Sequence, residues 1–280
     1  MRLKCHLCDN RRTAFLTTRK PAMPVPKVSP HLALLCLAIA ASTAHAQQAY
    51  DDAVTPYRPS VSSPAQLPVP GQLELELGGL HTRLDEDRRA SLPYTVKLAF
   101  NETWGVLLGG EAFVSDRDGG QRNRGLGDTT IELKHAFLVS PATAFGVELG
   151  AKVPTARKVI GSGKADYSVN GIYSQDIASV HMDSNLNLTR MGASDAGEGR
   201  VQTGASVSLS VPLDEHWGAT GELSGTRRPG ADSTAQVLLA TTYSPSKRLA
   251  IDFGFARGLN RASPKWSFFS GFVMPLARLW

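Results

Sequence analysis

The feature that most constrains the fold is a stretch at residues 125–155 in which apolar and polar residues alternate twice, with a turn between the two runs. It reads GLGDTTIELKHAFLVSPATAFGVELGAKVPT. In each run the residues at alternate positions (one parity, odd or even) are apolar and those at the other parity are polar, as in a strand with two different faces. The SPAT sequence at residues 140–143 has turn chemistry. The stretch therefore predicts a β-hairpin, whose apolar face packs on a second sheet in a soluble sandwich or on lipid in a membrane barrel.

The amino-terminal segment predicts export. The apolar run LALLCLAIAA at residues 32–41 is too short to span a bilayer, and it is followed by Ala44-His45-Ala46, a cleavage site of small residues. We interpret residues 1–46 as a leader with a secretory signal peptide that is cleaved after export. Its long basic region makes Met23 a candidate for the true start of the chain.

Removal of this leader changes the charge and the cysteine content. Residues 1–46 carry 7 of the 30 Lys and Arg residues and 1 of the 25 Asp and Glu residues, which leaves 23 basic and 24 acidic side chains. The mature chain is therefore not expected to bind nucleic acid. Cys5, Cys8 and Cys36 all lie in the leader, so the mature chain has no disulfide or thiol nucleophile. We expect no cofactor and no metal site.

The mature chain begins with a proline-rich segment. Residues 47–71 include Pro56, Pro59, Pro64, Pro68 and Pro70, and proline at this density favours extended, unpaired chain. We interpret residues 47–71 as a periplasmic arm, part of which either stays outside the barrel or lies in its mouth.

From residue 72 to residue 280 the alternation recurs in about twelve strands, near the length that a tilted membrane strand needs. Short and long links alternate between these strands, which favours a barrel with short periplasmic turns and long outer loops over a sandwich. We predict an all-β, antiparallel up-and-down transmembrane β-barrel in the outer membrane, over residues 72–280. The short links are 101–103, 140–143, 175–179, 212–216 and 244–248, and the long links are 85–91, 115–127, 155–165, 189–200, 227–233 and 258–264.

The last strand has an aromatic end that is typical of the signal read by the barrel-insertion machinery. The residues of this predicted signal are Phe272, Met274, Leu276 and Trp280, and Arg278 departs from the pattern. Aromatic residues near other strand ends, such as Trp104 and Trp217, are typical of interfacial girdles in contact with outer-membrane lipid.

If the apolar parity of each strand faces lipid, the polar parity lines the lumen. Acidic residues outnumber lysines there, so anions are not favoured, and the lumen forms either a salt-bridge ladder or a substrate-selective constriction. In the hairpin, either Glu132 lies opposite Lys152 or Lys134 lies opposite Glu148, and both registers pair opposite charges. The candidate lumen-lining residues are Glu74, Glu76, Lys97, Glu111, Asp128, Glu132, Lys134, Glu148, Lys152, Asp183, Glu222 and Asp252.

One histidine raises the alternative of an outer-membrane lipid hydrolase. His135 lies on the apolar parity, but a general base needs a nucleophile within hydrogen-bond reach, and no serine on a neighbouring strand can be assigned to it. We therefore predict no catalytic residues and no enzymatic activity.

Three segments carry a resemblance to a known family. RPSVSSPAQLPVPGQLELELGG at residues 58–79, GLGDTTIELKHAFL at 125–138 and AFGVELGAKVPT at 144–155 resemble the outer-membrane transporter-like family named for the meta-pathway of phenol degradation. The resemblance implies passage of small, often aromatic compounds and assigns no catalytic residue. We expect a passive channel for small-molecule solutes, including aromatic or hydrophobic compounds. The alternatives are the lipid hydrolase and a soluble periplasmic β-sandwich that binds a partner.

Overall fold

The computed structural model describes residues 53–280; the predicted leader lies outside these residues. No helix in the described range is long and apolar enough to cross a membrane. The described residues form thirteen β-strands: β1 (Gln72–Leu84), β2 (Asp87–Ala99), β3 (Trp104–Asp118), β4 (Gln121–Gly125), β5 (Thr129–Ser140), β6 (Thr143–Val153), β7 (Asp166–Ile177), β8 (Val180–Arg190), β9 (Val201–Pro212), β10 (Trp217–Arg227), β11 (Thr234–Ser246), β12 (Leu249–Gly258) and β13 (Trp266–Arg278).

Twelve of these strands close into one antiparallel barrel. Each strand pairs with its neighbours in the chain, β3 pairs with β5, and β1 pairs with β13 to close the sheet. The short strand β4 pairs only with the end of β3. Closure leaves no unpaired edge among the twelve strands of the barrel, which is what a sheet in lipid requires. The predicted up-and-down barrel is confirmed.

The pattern of burial is the reverse of that in a soluble sandwich. Glu74 and Lys97 are 0% exposed, whereas Leu186 is 68% exposed. A soluble chain does not leave such a continuous apolar surface in water, so the apolar parity faces lipid and the polar parity faces the lumen. Exposed apolar residues of the outer face include Leu108, Ile131, Leu133, Leu149, Val169, Leu186, Leu188, Val207, Leu209, Leu223, Leu239, Phe253 and Phe268.

The links between strands define two ends of the barrel. The short-turn end carries links 100–103, 141–142, 178–179, 213–216 and 247–248, and the long-loop end carries loops 154–165, 191–200, 228–233 and 259–265. Aromatic pairs cluster at the short-turn end, where the ring centroids of Phe145 and Tyr173 lie 5.1 Å apart and those of Trp217 and Tyr243 lie 4.8 Å apart. These rings occupy the position of an interfacial girdle.

Two predicted long links are in fact mostly strand. β1 and β2 are joined by a turn at residues 85–86, and the predicted link 115–127 contains the end of β3 and all of β4. A β-bulge separates the pairs Ser91–Val114 and Pro93–Glu111, so the parity of β3 changes there. The alternation of apolar and polar residues is absent from these segments because strands that extend beyond the lipid have two polar faces.

Candidate functional site

The lumen contains the described part of the proline-rich segment, residues 53–71, here called the arm. The arm begins at the short-turn end, where the Val54 N–H donates to the carbonyl of Lys247 at 2.8 Å. It then crosses the short-turn half of the lumen and returns to the wall, where the Gly71 N–H donates to the carbonyl of Ala99 before β1 begins. Proline prevents a regular ladder, so the arm bonds to inward-facing side chains instead.

The first contacts of the arm are made with a group of charged side chains on β1 and β2. The Lys97 ammonium lies 3.1 Å from Glu74 Oε2 and 2.6 Å from Glu76 Oε1, with all three side chains nearly or fully buried. The N–H of Thr55 donates to Glu74 at 3.2 Å, and the N–H of Tyr57 donates to Glu76 at 2.7 Å. The two carboxylates therefore bind the arm and Lys97 together.

Tyr57 lies in the lumen, where its ring contacts two lysines. The ammonium nitrogens of Lys97 and Lys134 are 4.3 Å and 4.1 Å from the centre of its ring, within the range of a cation–π contact. Its hydroxyl donates to the Gln66 carbonyl at 2.8 Å, which joins the outgoing and returning parts of the arm. Burial, followed by the charges of Glu148 and other carboxylates, raises the pKa of the Tyr57 phenol well above its usual value, so the ring stays neutral.

Arg58 forms a two-point ion pair with the wall. Its Nε and Nη2 atoms each lie 3.0 Å from an oxygen of Asp252 on β12. Two glycines make room for the guanidinium, since a Cβ at Gly78 would lie 2.6 Å from Nη2 and one at Gly271 would lie 2.6 Å from Nε. The bidentate geometry fixes both the position and the orientation of this part of the arm.

Residues 61–62 of the arm bond to β9 and β10. One oxygen of Glu222 accepts the N–H groups of Val61 at 2.8 Å and Ser62 at 2.9 Å. The Ser62 hydroxyl donates to the hydroxyl of Ser206 at 2.9 Å. These three bonds attach the middle of the arm to the opposite wall from Lys97.

Residues 63–65 continue along the wall to β8, β7 and β5. Ser63 exchanges two hydrogen bonds with the Asn185 side chain, at 2.8 Å and 2.9 Å. The N–H of Ala65 donates to Ser174 at 2.8 Å, and Lys134 donates to the carbonyl of Pro64. Ala65 is 0% exposed, so the arm is packed as tightly as a core segment at this point.

The arm separates two cavities. On the long-loop side lies a cavity of about 330 Å³ that includes Val61, Asn170, Asn187 and Gln236 in its lining. On the short-turn side lies a cavity of about 420 Å³ lined in part by Ser62. Segment 61–62 therefore forms the partition between the two parts of the lumen.

The long-loop half of the lumen contains charged pairs that do not involve the arm. Lys152 lies 3.3 Å from Asp128 and 2.8 Å from Asp166, and Arg89 lies 2.5 Å from Glu111. The lysine of this group is 24% exposed, unlike Lys97 and Lys134 at 0%. This half is therefore more open to water.

The structure places the candidate lumen residues in three groups. The first group contacts the arm or a lysine that bonds to the arm, and it consists of Glu74, Glu76, Lys97, Lys134, Glu148, Glu222 and Asp252. The long-loop half contains Glu111, Asp128 and Lys152. Glu132 lies between these groups on the inward parity of β5, and Asp183 accepts from Ser174 near the short-turn end.

The hairpin adopts the second of the two predicted registers. Lys134 lies opposite Glu148 in the β5–β6 ladder, at 3.1 Å between charged atoms, and Glu132 lies opposite Gly150. The predicted insertion signal falls at the end of β13, where Met274 and Leu276 are exposed on the outer face and Trp280 is 59% exposed. Its recognition by the insertion machinery stays a prediction.

Sequence reasoning missed the partners that the arm supplies. The sequence of residues 47–71 predicts only a proline-rich arm and assigns no role to Tyr57 or Arg58. The alternation in β7, β8 and β9 does not distinguish Ser174, Asn185 and Ser206 from other inward-facing residues. One signal was available, since acidic residues exceed lysines on the inward parity. The additional carboxylates accept hydrogen bonds from backbone N–H groups of the arm and from Arg58.

The histidines of the described residues do not form a nucleophile–base pair. His135 bonds to the carbonyl of Thr103 at 2.9 Å and stacks on Trp104, with ring centroids 4.2 Å apart. His181 lies between Asp176 at 2.6 Å and Asp183 at 3.1 Å. Within residues 53–280, no serine donates to either ring, and no group of three or more His, Cys, Asp or Glu side chains is arranged to hold a metal ion.

A comparison with known protein families shows which family the chain belongs to. Residues 58–275 match the family described as "Putative MetA-pathway of phenol degradation", and this range includes most of the arm and nearly all of the barrel. The chain belongs to this family. The resemblance inferred from the three short segments is confirmed. No curated protein sequence matches the chain.

Solved structures with a similar fold include two porins. The NanC porin has a TM-score of 0.54 and 7% sequence identity, and the match covers 72% of this chain and 100% of that one. The KdgM porin has a TM-score of 0.50 and 7% identity, and the match covers 72% of this chain and 99% of that one. At this identity the likeness shows a shared barrel fold for this family member.

Proposed function

We propose that the protein is an outer-membrane channel for small solutes whose lumen is closed by its own arm. The observation that carries this proposal is the pair of cavities on the two sides of segment 61–62. A barrel that served only as a membrane anchor has no need of a cavity at each end of a polar lumen. Export by a cleaved signal peptide and insertion into the outer membrane belong to the same proposal.

The contacts of the arm favour a movable closure over a permanent core element. The arm bonds mainly to side chains, and each of these bonds can be exchanged for a bond to water when the arm moves. Prolines at positions 56, 59, 64, 68 and 70 keep the free arm extended. Release of the arm would therefore join the two cavities without disrupting the strand ladder of the barrel.

We further propose that the transported solutes include small aromatic compounds. Membership of a family named for phenol degradation supports this choice. The cavity on the long-loop side also supports it, since its lining contains Asn, Gln, Ser and Thr side chains and no charged group. A neutral solute with a few hydrogen-bonding groups matches such a lining better than an ion does.

Planar-bilayer recording of the purified full-length protein tests the channel proposal. We expect brief openings separated by long closed periods, because the arm must leave the lumen before solutes or ions pass. Continuous silence together with hydrolysis of the bilayer lipid would contradict a channel and would favour an enzyme. Recovery of the protein in the soluble periplasmic fraction would contradict the membrane location.

Solute uptake tests the proposed substrates. A strain that lacks the protein should take up phenolic compounds more slowly than the parent strain, while the uptake of aliphatic acids of similar size should change little. Equal uptake of both classes in both strains would contradict the substrate proposal and leave the conductance result unaffected.

A further inference from the structure

Four arginines form a row across the first four strands at the long-loop end. In the strand registers, Arg83 pairs with Arg88, Arg88 with Arg117, and Arg117 with Arg122. Residues directly opposite each other on adjacent strands point to the same face. The four guanidinium groups therefore lie on one face, within a span of about 15 Å given the usual spacing of strands.

This row lies on the outer face of the barrel, at the edge of the apolar surface. Val114 on β3 is 0% exposed and faces inward, so Phe113 and Arg117 face outward. Leu92 is 44% exposed and lies four residues from Arg88, just as Phe113 is 41% exposed and lies four residues from Arg117. Four strand residues span about 13 Å, somewhat less when the strand is tilted. The row thus lies at the depth of lipid headgroups.

Among the side chains that the structure describes, no carboxylate forms a direct ion pair with any of the four arginines. The Nε of Arg83 donates to the backbone carbonyl of Asp85 at 2.9 Å, and the Nε of Arg122 donates to Ser115 at 3.2 Å. The Asp85 carboxylate pairs with Lys265 at 2.9 Å. Like charges that lie directly opposite each other across a sheet are destabilising, so an anionic partner would stabilise this row.

We propose that the row binds the headgroup of an outer-leaflet lipid that carries two or more phosphate groups. Guanidinium groups form paired, charge-assisted hydrogen bonds with phosphate oxygens. The apolar side chains of Leu92 and Phe113 lie where the acyl chains of the same lipid would pack. A surface with both features matches a phosphorylated lipid better than a soluble anion.

Three other arginines provide a matched control. Arg190, Arg227 and Arg257 lie at the same end and on the outward parity of their strands, but their cross-strand partners are uncharged: Tyr167 and Val201 for Arg190, Thr203 for Arg227 and Val237 for Arg257. The row variant is Arg88→Gln/Arg117→Gln/Arg122→Gln, and the control variant is Arg190→Gln/Arg227→Gln/Arg257→Gln. Both lose the same net charge.

Native mass spectrometry of the full-length protein in a zwitterionic detergent, titrated with bisphosphorylated lipid A, tests the proposal. We expect the row variant to need at least about tenfold more lipid than wild type for half occupancy, since each arginine near an anionic lipid contributes severalfold to affinity. The control variant should stay within about twofold of wild type if the row is the site. Heat-modifiable gel migration verifies that each variant is folded.

Three results would overturn the proposal. An equal loss in the control variant would show a general effect of net charge, and absence of lipid A binding by wild type would show no site. Displacement of the lipid by inorganic phosphate at the same phosphate concentration would identify a free-anion site instead. Unchanged binding in the presence of inorganic phosphate, with the loss restricted to the row variant, supports the lipid.

Discussion

The two walls that hold the arm differ in chemistry. β1, β2 and β12 bind it through buried charges, in the Lys97 group and the Arg58–Asp252 pair. β7, β8 and β9 bind it through hydroxyl and amide groups, to which Glu222 on β10 adds one carboxylate and Lys134 on β5 adds one ammonium group. We call the strands β1, β2 and β12 the charged wall and the strands β7, β8 and β9 the neutral wall. The neutral wall also borders the partition between the two cavities.

The difference indicates where the arm is released. Separation of the Arg58–Asp252 ion pair would leave a buried carboxylate without its counterion, which costs about 3–5 kcal/mol. A hydrogen bond contributes about 0.5–1.5 kcal/mol when both groups are neutral and about 1.5–3 kcal/mol when one of them is charged. Segment 61–65 forms hydrogen bonds with the barrel but no ion pair, so it should detach more readily than the segment around Tyr57 and Arg58. The charged wall would then retain one part of the arm while residues 61–65 move out of the solute path.

The largest effect is expected at the charged wall. Lys97→Met leaves Glu74 and Glu76 buried without their counterion, and we expect a loss of about 3–5 kcal/mol in the free energy of unfolding. Urea titration of heat-modifiable migration measures this loss. Lys265→Met, which removes an exposed pair with Asp85, is the control and should leave the midpoint unchanged. Equal midpoints for the two variants would contradict the assignment of Lys97.

The next effect concerns the attachment of the arm at Arg58. Arg58→Gln removes the two-point contact with Asp252, and we expect the open probability in bilayers to rise by roughly tenfold or more. Arg89→Gln is a matched control, since Arg89 pairs with Glu111 in the long-loop half without contacting the arm. An equal rise in both variants would mean that lumen charge controls the current.

A smaller effect is expected at the neutral wall. Asn185→Ala removes both hydrogen bonds to Ser63, which should raise local opening of segment 61–65 by roughly fivefold to tenfold. Hydrogen exchange of the peptide that contains Ser63 reports this opening, with the peptide that contains Tyr57 as an internal reference. Faster exchange at Tyr57 than at Ser63 would reverse the proposed order of release.

The smallest effect concerns ion selectivity. Lys152 is partly exposed to water in the long-loop half, so Lys152→Gln should raise the cation-to-anion permeability ratio by about twofold or less. Reversal potentials in a salt gradient give this ratio. An unchanged ratio would place the selective part of the pore at the arm.

Much of the barrel was predictable because a lipid-facing strand has a strict two-residue period. Leu73, Leu75 and Leu77 alternate with Glu74 and Glu76, and the structure places the two sets on opposite faces. The alternation does not predict the strands at residues 85–91 and 115–127. Strands beyond the lipid are polar on both faces, and a bulge there shifts the parity of β3.

The position of the arm could not be read from its own residues. Proline density predicts extended, unpaired chain, but it gives no information on the hydrogen bonds of the arm, which are distributed over many strands. Each of these partners is an ordinary inward-facing residue in its own strand. Only the excess of acidic residues over lysines hinted at further donors, and Arg58 and the arm N–H groups supply them.

The central claim is that movement of segment 61–62 opens the pore, and an engineered disulfide tests it most directly. The hydroxyls of Ser62 and Ser206 are 2.9 Å apart, so Ser62→Cys/Ser206→Cys places two thiols in contact, where oxidation can join them. The three native cysteines are Cys5, Cys8 and Cys36, so a protein prepared from residue 47 onwards has no other thiol that competes. We predict that the oxidised variant shows no openings in planar bilayers and that a reductant restores wild-type currents. Equal currents before and after reduction, with the disulfide verified by thiol titration, would contradict the claim.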